Sequence, residues 1–288
     1  MILDGNKISL EIKNEIKDIV SKRFDERKKI PHLAAIIVGN DGASLTYVGS
    51  KVRACDYVGF KSTLIRLDDS ISEKLLLDNI NSLNNNNEID GFIVQLPLPK
   101  SIDQEKVLLS INPKKDVDGF HPTNFGQMAL EMESFIPATP YGIIELLERY
   151  NIETSGKNCV VIGRSNIVGR PISILMSQKP INATVCIAHS KTKNIKNLTL
   201  QADIIISALG IPEFLKEDMV KKDTVIIDVG ITRVIEKTSP KGYVLKGDVD
   251  FKNVSKKSSF ITPVPGGVGP MTIAMLLKNN LLACEGRD

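Results

Sequence analysis

This sequence is poor in the residues that would mark a specialised chemistry. Its four cysteines, Cys55, Cys159, Cys186 and Cys284, form no C-x-x-C pair, which speaks against a disulfide framework or a dithiol redox motif. Cys159 and Cys186 sit within strand-like apolar runs, where reduced and buried thiols are expected. Three histidines, His32, His121 and His189, are too few and too scattered for a zinc site, so no metal is predicted. Lys and Arg number 37 against 34 Asp and Glu, a net charge of +3 with no long run of one sign. That balance gives no footing for nucleic acid or an anionic membrane. Nowhere do eighteen uncharged apolar residues follow one another, and the first residues alternate in charge without an apolar leader core. A cytoplasmic protein without a membrane span is expected. Also missing is the G-x-G-x-x-G dinucleotide fingerprint.

What is present suits ordinary globular packing. A chain of 288 residues with 42% hydrophobic content favours two domains, each with its own core. The stretch Cys159 to Met176 organises it: an apolar run, Cys159-Val160-Val161-Ile162, meets Gly163-Arg164-Ser165 and then Gly169-Arg170-Pro171 at the head of an apolar helical pattern. A strand, glycine turn and helix of this kind can either cradle a phosphate on the amides of the helix start or serve as a plain turn in a parallel sheet.

In chain order, Ile8, Ile12, Ile16 and Ile19 predict an amphipathic helix over residues 6–28. A buried strand over 33–38 ends in a Gly-Asn-Asp-Gly turn, and in the next helix Leu45, Val48, Val52 and Cys55 form an apolar stripe. Tyr47 and Lys51, four apart, share the neighbouring face. Strands over 61–67 and 91–95, with a helix over 71–83 between them, continue a βαβα alternation. Prolines stop the second of these strands just after Gln95, at the carboxyl end where open α/β sheets bind ligands. Residues 113–122 form a turn-rich loop carrying Asp116 and Asp118. Residues 135–140 read as a linker, with Thr139 as N-cap and Pro140 as first helical residue. Further strands over 183–188, 202–207 and 224–229 make the rear half a Rossmann-like series. After its second strand stands His189-Ser190-Lys191-Thr192, with no carboxylate for a ribose hydroxyl. Hydroxyls, Lys191 and Arg164 suit a 2′-phosphate, hence NADP; alternatively Lys191 lies on a plain surface loop. Residues 262–270 are a rigid Pro-Gly crossing into a helix over 271–282.

Six segments in order resemble the bifunctional methylenetetrahydrofolate dehydrogenase/cyclohydrolase family over almost the whole chain: Tyr47-Val48-Gly49-Ser50-Lys51, residues 90–99, Lys115-Asp116-Val117-Asp118-Gly119, residues 163–171, Asp228-Val229-Gly230-Ile231, and residues 263–272. The resemblance implies two α/β domains flanking a cleft. A folate-binding catalytic domain is expected over 1–138 plus 271–288 and a Rossmann-like NADP-binding domain over 139–270. It further implies a homodimer that oxidises methylenetetrahydrofolate with NADP and then hydrolyses the methenyl product to 10-formyltetrahydrofolate. The alternative is the dehydrogenase activity alone. By family analogy Lys51 is the proton-transferring base and Gln95 positions it, Tyr47 packs against the folate, and Asp118 accepts from the pterin's amino-pyrimidine edge. Leu96, Pro97, Pro265 and Gly266 are expected to contact substrate. Gly163, Arg164, Ser165, Ile167, Ser190, Gly230 and Ile231 are expected to contact the cofactor. His121 and His189 are read as structural. The chain departs from the family pattern at Ala138 and Gln127; the second departure leaves the holder of the glutamate tail open, with Lys28 and Lys29 among the cations available.

Overall fold

Buried apolar runs alternating with amphipathic segments produce two α/β units. The computed structural model describes every residue except 240, 241, 287 and 288 and the side chain of Ala43. One unit, here the front unit, comprises Leu10–Ala138 and Ile273–Asp288; the rear unit comprises Met1–Ser9 and Thr139–Thr272.

In chain order the first elements are α1 (Gly5–Asp25), β1 (His32–Val38), α2 (Gly42–Val58), β2 (Lys61–Leu67), α3 (Glu73–Asn85), β3 (Gly91–Val94), α4 (Gln104–Ser110) and α5 (Pro122–Ala129). The three strands form a parallel sheet in the order β2-β1-β3. Strand β1 is central because all but its first residue are buried, the pattern of a strand covered on both faces. Around it Ile36, Leu76, Ile80, Phe92 and Val107 close a core, each fully buried side chain contributing about 1.5–3 kcal/mol by leaving water. The chain leaves β1 to β2 on one side and later returns to β3 on the other. The carboxyl end of β1 is therefore a switch point, where open sheets offer a ligand crevice. Three expectations need correction. Ile19 is 38% exposed and Val20 takes its place on the buried stripe of α1, since the next position on one face after Ile16 lies four residues on. Helix α5, headed by the His121 cap and Pro122, follows the predicted loop. Strand β3 stops at Val94, so Gln95 lies just beyond it, although its amide still bonds Ile36 O at 2.9 Å.

The remaining elements are α6 (Ala138–Arg149), β4 (Asn158–Ile162), α7 (Gly169–Ser177), β5 (Thr184–Ala188), α8 (Ile195–Thr199), β6 (Ile204–Ser207), β7 (Val225–Asp228), β8 (Thr232–Ile235), β9 (Tyr243–Lys246), α9 (Phe251–Val254), β10 (Phe260–Ile261) and α10 (Val268–Glu285). Five strands form a parallel sheet in the order β10-β7-β6-β4-β5. The fold is α/β, and this sheet is Rossmann-like in the doubly wound sense, with its switch point at the carboxyl end of β4. The antiparallel hairpin β8–β9 was not expected, because its four-residue strands are too short for periodicity to register. Helix α6 starts at Ala138, so Thr139 lies within the first turn rather than at the cap, its hydroxyl 2.9 Å from that of Thr272. Helix α10 starts three residues before the predicted Met271 and takes Pro270 into its first turn, where a missing N–H costs nothing. Cys186 is exposed, not buried, because β5 is an edge strand.

Candidate active site

The front unit gathers its predicted residues around one amine. Asp41 caps α2 by accepting the Ser44 amide at 2.8 Å, and Gly59 ends the helix in the left-handed conformation. Along that helix Val48, Lys51, Cys55 and Val58 are buried. Lys51, only 5% exposed, is buried more deeply than a position beside the apolar stripe suggests. Its Nζ donates to Gln95 Oε1 at 3.2 Å and stands 5.2 Å from the Tyr47 ring centroid, within cation–π range. Gln95 is held in turn, its Nε2 donating to Leu96 O at 2.7 Å. With the amide nitrogen committed there, the carbonyl oxygen must face the amine. Burial pushes the Lys51 ammonium below the ordinary lysine range, against the opposing pull of Asp118 and Cys55. Asp118, which keeps partial solvent access, is pushed the other way by desolvation, with Lys51 countering and Asp116 adding to the rise. An amine that can shed its proton thus stands near a carboxyl group reluctant to lose its own.

The Asp118 loop is held by groups that sequence reasoning left without a role. Asp116, read from sequence as a turn former, is buried and accepts from His121 N at 2.7 Å and from Asn124 Nδ2 at 2.9 Å. Asn279 donates to Val117 O at 2.8 Å and to Ile136 O at 2.9 Å, clamping the chain on either side of the Asp118 turn. Gly119 adopts φ +74°, and a Cβ there would lie 2.6 Å from Pro137 N. His121 caps α5, and its Nδ1 accepts the Thr123 amide at 3.1 Å, a structural role as expected. Lys29 is engaged by Asp90 and Asn87 O, and Lys28 by Glu26, so both cations considered for a glutamate tail have internal partners.

In the rear unit the candidate groups lie along the carboxyl edge of the sheet. Gly163 has φ +122°, and a Cβ there would come within 2.4 Å of Ala208 O; one on Gly169 would come within 2.3 Å of Gly163 O. Only glycine allows the turn to fold this tightly. Ser165 Oγ accepts the Val168 and Gly169 amides, each at 3.2 Å, so it shapes the start of α7 while keeping its own proton to donate. Among the described residues no acceptor faces the amides of Ser165, Asn166 and Ile167, the arrangement that anion sites at helix starts use. Ile162 pairs with Ala188 across β4 and β5. Arg164 and Ser190, each two residues beyond that pair, therefore leave the same edge, and both are exposed. No carboxylate stands between Ala188 and Ile195, so the edge fits a nucleotide bearing an extra phosphate. His189 Nδ1 accepts the Lys191 amide at 3.2 Å.

Gly230 is buried and Ile231 is 58% exposed at the same edge. Beneath them Asp228 is pushed up to about 7, chiefly by burial, against hydrogen bonds from three backbone amides. Pro265 and Gly266 lie in a rear-unit loop pinned to the chain start, where Asn6 N donates to Gly266 O at 3.1 Å. Leu96 is half-buried and Pro97 exposed beside Gln95.

Comparison with known proteins gives this geometry a context. Residues 3–118 match the family described as tetrahydrofolate dehydrogenase/cyclohydrolase, catalytic domain, and residues 137–288 match tetrahydrofolate dehydrogenase/cyclohydrolase, NAD(P)-binding domain. The chain belongs to the tetrahydrofolate dehydrogenase/cyclohydrolase family. A curated relative from Flavobacterium psychrophilum, "Bifunctional protein FolD", is 66% identical, with 100% of this chain and 98% of the relative covered. The bifunctional FolD structure from Campylobacter jejuni superposes with a TM-score of 0.94 at 46% identity, covering 100% of this chain and 99% of that one. The Trypanosoma brucei dehydrogenase-cyclohydrolase, solved with NADP cofactor and inhibitor, gives a TM-score of 0.95 at 35% identity, covering 100% and 98%. The enzyme is a bifunctional dehydrogenase and cyclohydrolase, and the reading with dehydrogenase activity alone is set aside. Among the described residues no group of three or more His, Cys, Asp or Glu side chains is placed to hold a metal ion, and no helix is long and apolar enough to cross a membrane.

Proposed function

We propose that residues 1–138 with 271–288 hold the reduced folate and that residues 139–270 hold the nucleotide. The enzyme oxidises 5,10-methylenetetrahydrofolate to the methenyl form with NADP and then hydrolyses it to 10-formyltetrahydrofolate. When bound, NADP supplies the hydride acceptor. Arg164, Ser165, Ile167 and Ser190 bind its phosphate-bearing end, and Gly230 with Ile231 borders its nicotinamide end. Loss of hydride leaves a cation already delocalised over the two flanking folate nitrogens, so this step needs alignment and exclusion of water rather than a general base.

Water addition is different, because protons must move. The observation that carries this reading is the Lys51 amine, buried, hydrogen-bonded to Gln95 and displaced below the usual lysine range. A neutral amine there can take a proton from the attacking water. Gln95 aims it through its carbonyl oxygen, and Tyr47 offers a flat face to the pteridine. Asp118 accepts from the pterin's amino-pyrimidine edge, a paired donor face that a carboxylate matches. Leu96, Pro97, Pro265 and Gly266 complete the substrate contacts. Following methylenetetrahydrofolate turnover spectroscopically with NADP and with NAD in parallel tests substrate, reaction and coenzyme together; no turnover with either coenzyme would refute the assignment.

The active species is a homodimer in this reading. The hairpin β8–β9 supports it, with Ile235 85% exposed on an element that, among the described residues, pairs with no further strand. Sedimentation at micromolar concentration checks this, and a monomer would contradict it. Among the described residues none of the four cysteines is in a disulfide, which suits a reducing cytoplasm.

A further inference from the structure

Two buried carboxylates in the rear unit have no part in the chemistry above. Asp248 is fully buried and Asp228 is 3% exposed. Each is ringed by donors. Asp248 accepts from Leu209 N at 2.6 Å, Ile211 N at 2.9 Å and Ser207 Oγ at 3.4 Å. Asp228 accepts from Gly230 N at 3.2 Å, Asp248 N at 2.9 Å and Val249 N at 3.0 Å. The two residues also interlock through glycines. A Cβ on Gly230, two residues after Asp228, would lie 2.0 Å from Asp248 Oδ1; a Cβ on Gly247, just before Asp248, would lie 2.0 Å from Asp228 Oδ2.

These bonds join three loops that leave different strands: residues 208–211 after β6, 229–231 after β7, and 247–249 after β9. Backbone pairing holds part of each loop, through Ala208 N to Ile162 O, Val229 N to Ser207 O and a bridge between Val249 and Leu215, whereas the amides of Leu209, Ile211 and Gly230 bond the carboxylates instead. Two acidic side chains tie all three together through five backbone amides and a hydroxyl. Buried acceptors of this kind impose geometry because their donors have no alternative partner. The direction of control is also visible. Asp248 holds Leu209 and Ile211 while its Oδ1 blocks any side chain at Gly230, the residue before Ile231.

We infer that Asp248, braced by Asp228, is a positioning residue for hydride transfer: it sets the 208–211 and 229–231 loops as one surface against which the nicotinamide end of the cofactor is aligned. The inference rests on the reading that Gly230 and Ile231 border that end of NADP. Neither carboxylate touches the reacting atoms. Their influence passes through the backbone, and misplacing a reactant by about an ångström can cost about a hundredfold in rate.

Asp248→Asn in the full-length enzyme keeps the shape but turns one acceptor oxygen into a donor facing a backbone amide. Dehydrogenase kcat is expected to fall by about 10- to 100-fold, while hydrolysis of added methenyltetrahydrofolate, which uses no nucleotide, stays at the wild-type rate. A purely structural role would lower both activities together, and either that outcome or unchanged dehydrogenase kinetics overturns the inference. If the variant does not fold, hydrogen exchange of the wild-type enzyme decides. The Leu209 and Ile211 amides are expected to be protected before cofactor is added, and exchange at unprotected rates overturns the proposal. Ile231→Glu, at an exposed position the fold tolerates, tests the underlying reading. Unaltered NADP kinetics in that variant removes the cofactor from this edge and the inference with it, whereas altered kinetics there with a normal Asp248→Asn overturns the inference alone.

Discussion

The candidate site of the front unit is made of side chains whose protonation burial has displaced, whereas that of the rear unit is made of glycine turns, backbone amides and exposed polar tips. Lys51 and Asp118 are shifted in opposite directions by the same desolvation, as suits a site that must move a proton. Arg164 and Ser190 sit in solvent, and the features that single out their edge are the tight turn at Gly163 and the paired ends of β4 and β5. The rear unit also has buried ionisable groups, Asp228 and Asp248, but there they hold backbone amides in place.

That contrast is sharpest under mutation. Lys51→Ala should reduce cyclohydrolase kcat by about a thousandfold, within the range of a lost general base, and leave NADPH affinity measured by fluorescence unchanged; retention of hydrolysis would erase the distinction. Gly163→Ala should act through the fold, lowering stability by about 3 kcal/mol because φ +122° and the 2.4 Å approach to Ala208 O both resist a methyl group. Thermal unfolding reads this directly.

The pH profile offers a gentler probe. The reactive form of Lys51 is the neutral amine, so cyclohydrolase kcat should climb about tenfold per pH unit while the ammonium predominates. It should level off above the pKa, which burial has moved below the ordinary lysine value. A profile still rising through the usual lysine range would show that the desolvation does not operate. Nucleotide binding by the rear edge should show no matching inflection. The smallest effect belongs to Arg164→Ala, where a solvent-exposed contact to phosphate is worth about 1 kcal/mol. KM for NADP should rise about fivefold with kcat unchanged.

Much of the front unit could be read from residue order. Strand β1 is a run of buried apolar residues bounded by turn formers, and the i, i+4 spacing of Tyr47 and Lys51 already placed them one turn apart on a helix. The depth of Lys51 could not be read, because burial depends on what packs over α2 and not on the helix itself. The buried bracing role of Asp116 and that of Asn279 could not be read for a related reason. An Asp before a turn is common, and Asn279 lies 162 residues from the Val117 carbonyl it holds. In the rear unit the partners of Gly230 and Gly247 are each other's neighbouring carboxylates, a reciprocity invisible along the chain. Cys186 misled because an apolar run looks the same in a central strand and at an edge.

Local composition and period by themselves determined the longer strands and helices, the parallel α/β class, and the order of the family's motifs, because backbone preference and side-chain alternation act over a few residues. Tertiary structure alone decided strand order, the displaced protonation of Lys51 and Asp118, and the paired Asp228 and Asp248, because each depends on solvent exclusion or on donors brought together from distant parts of the chain.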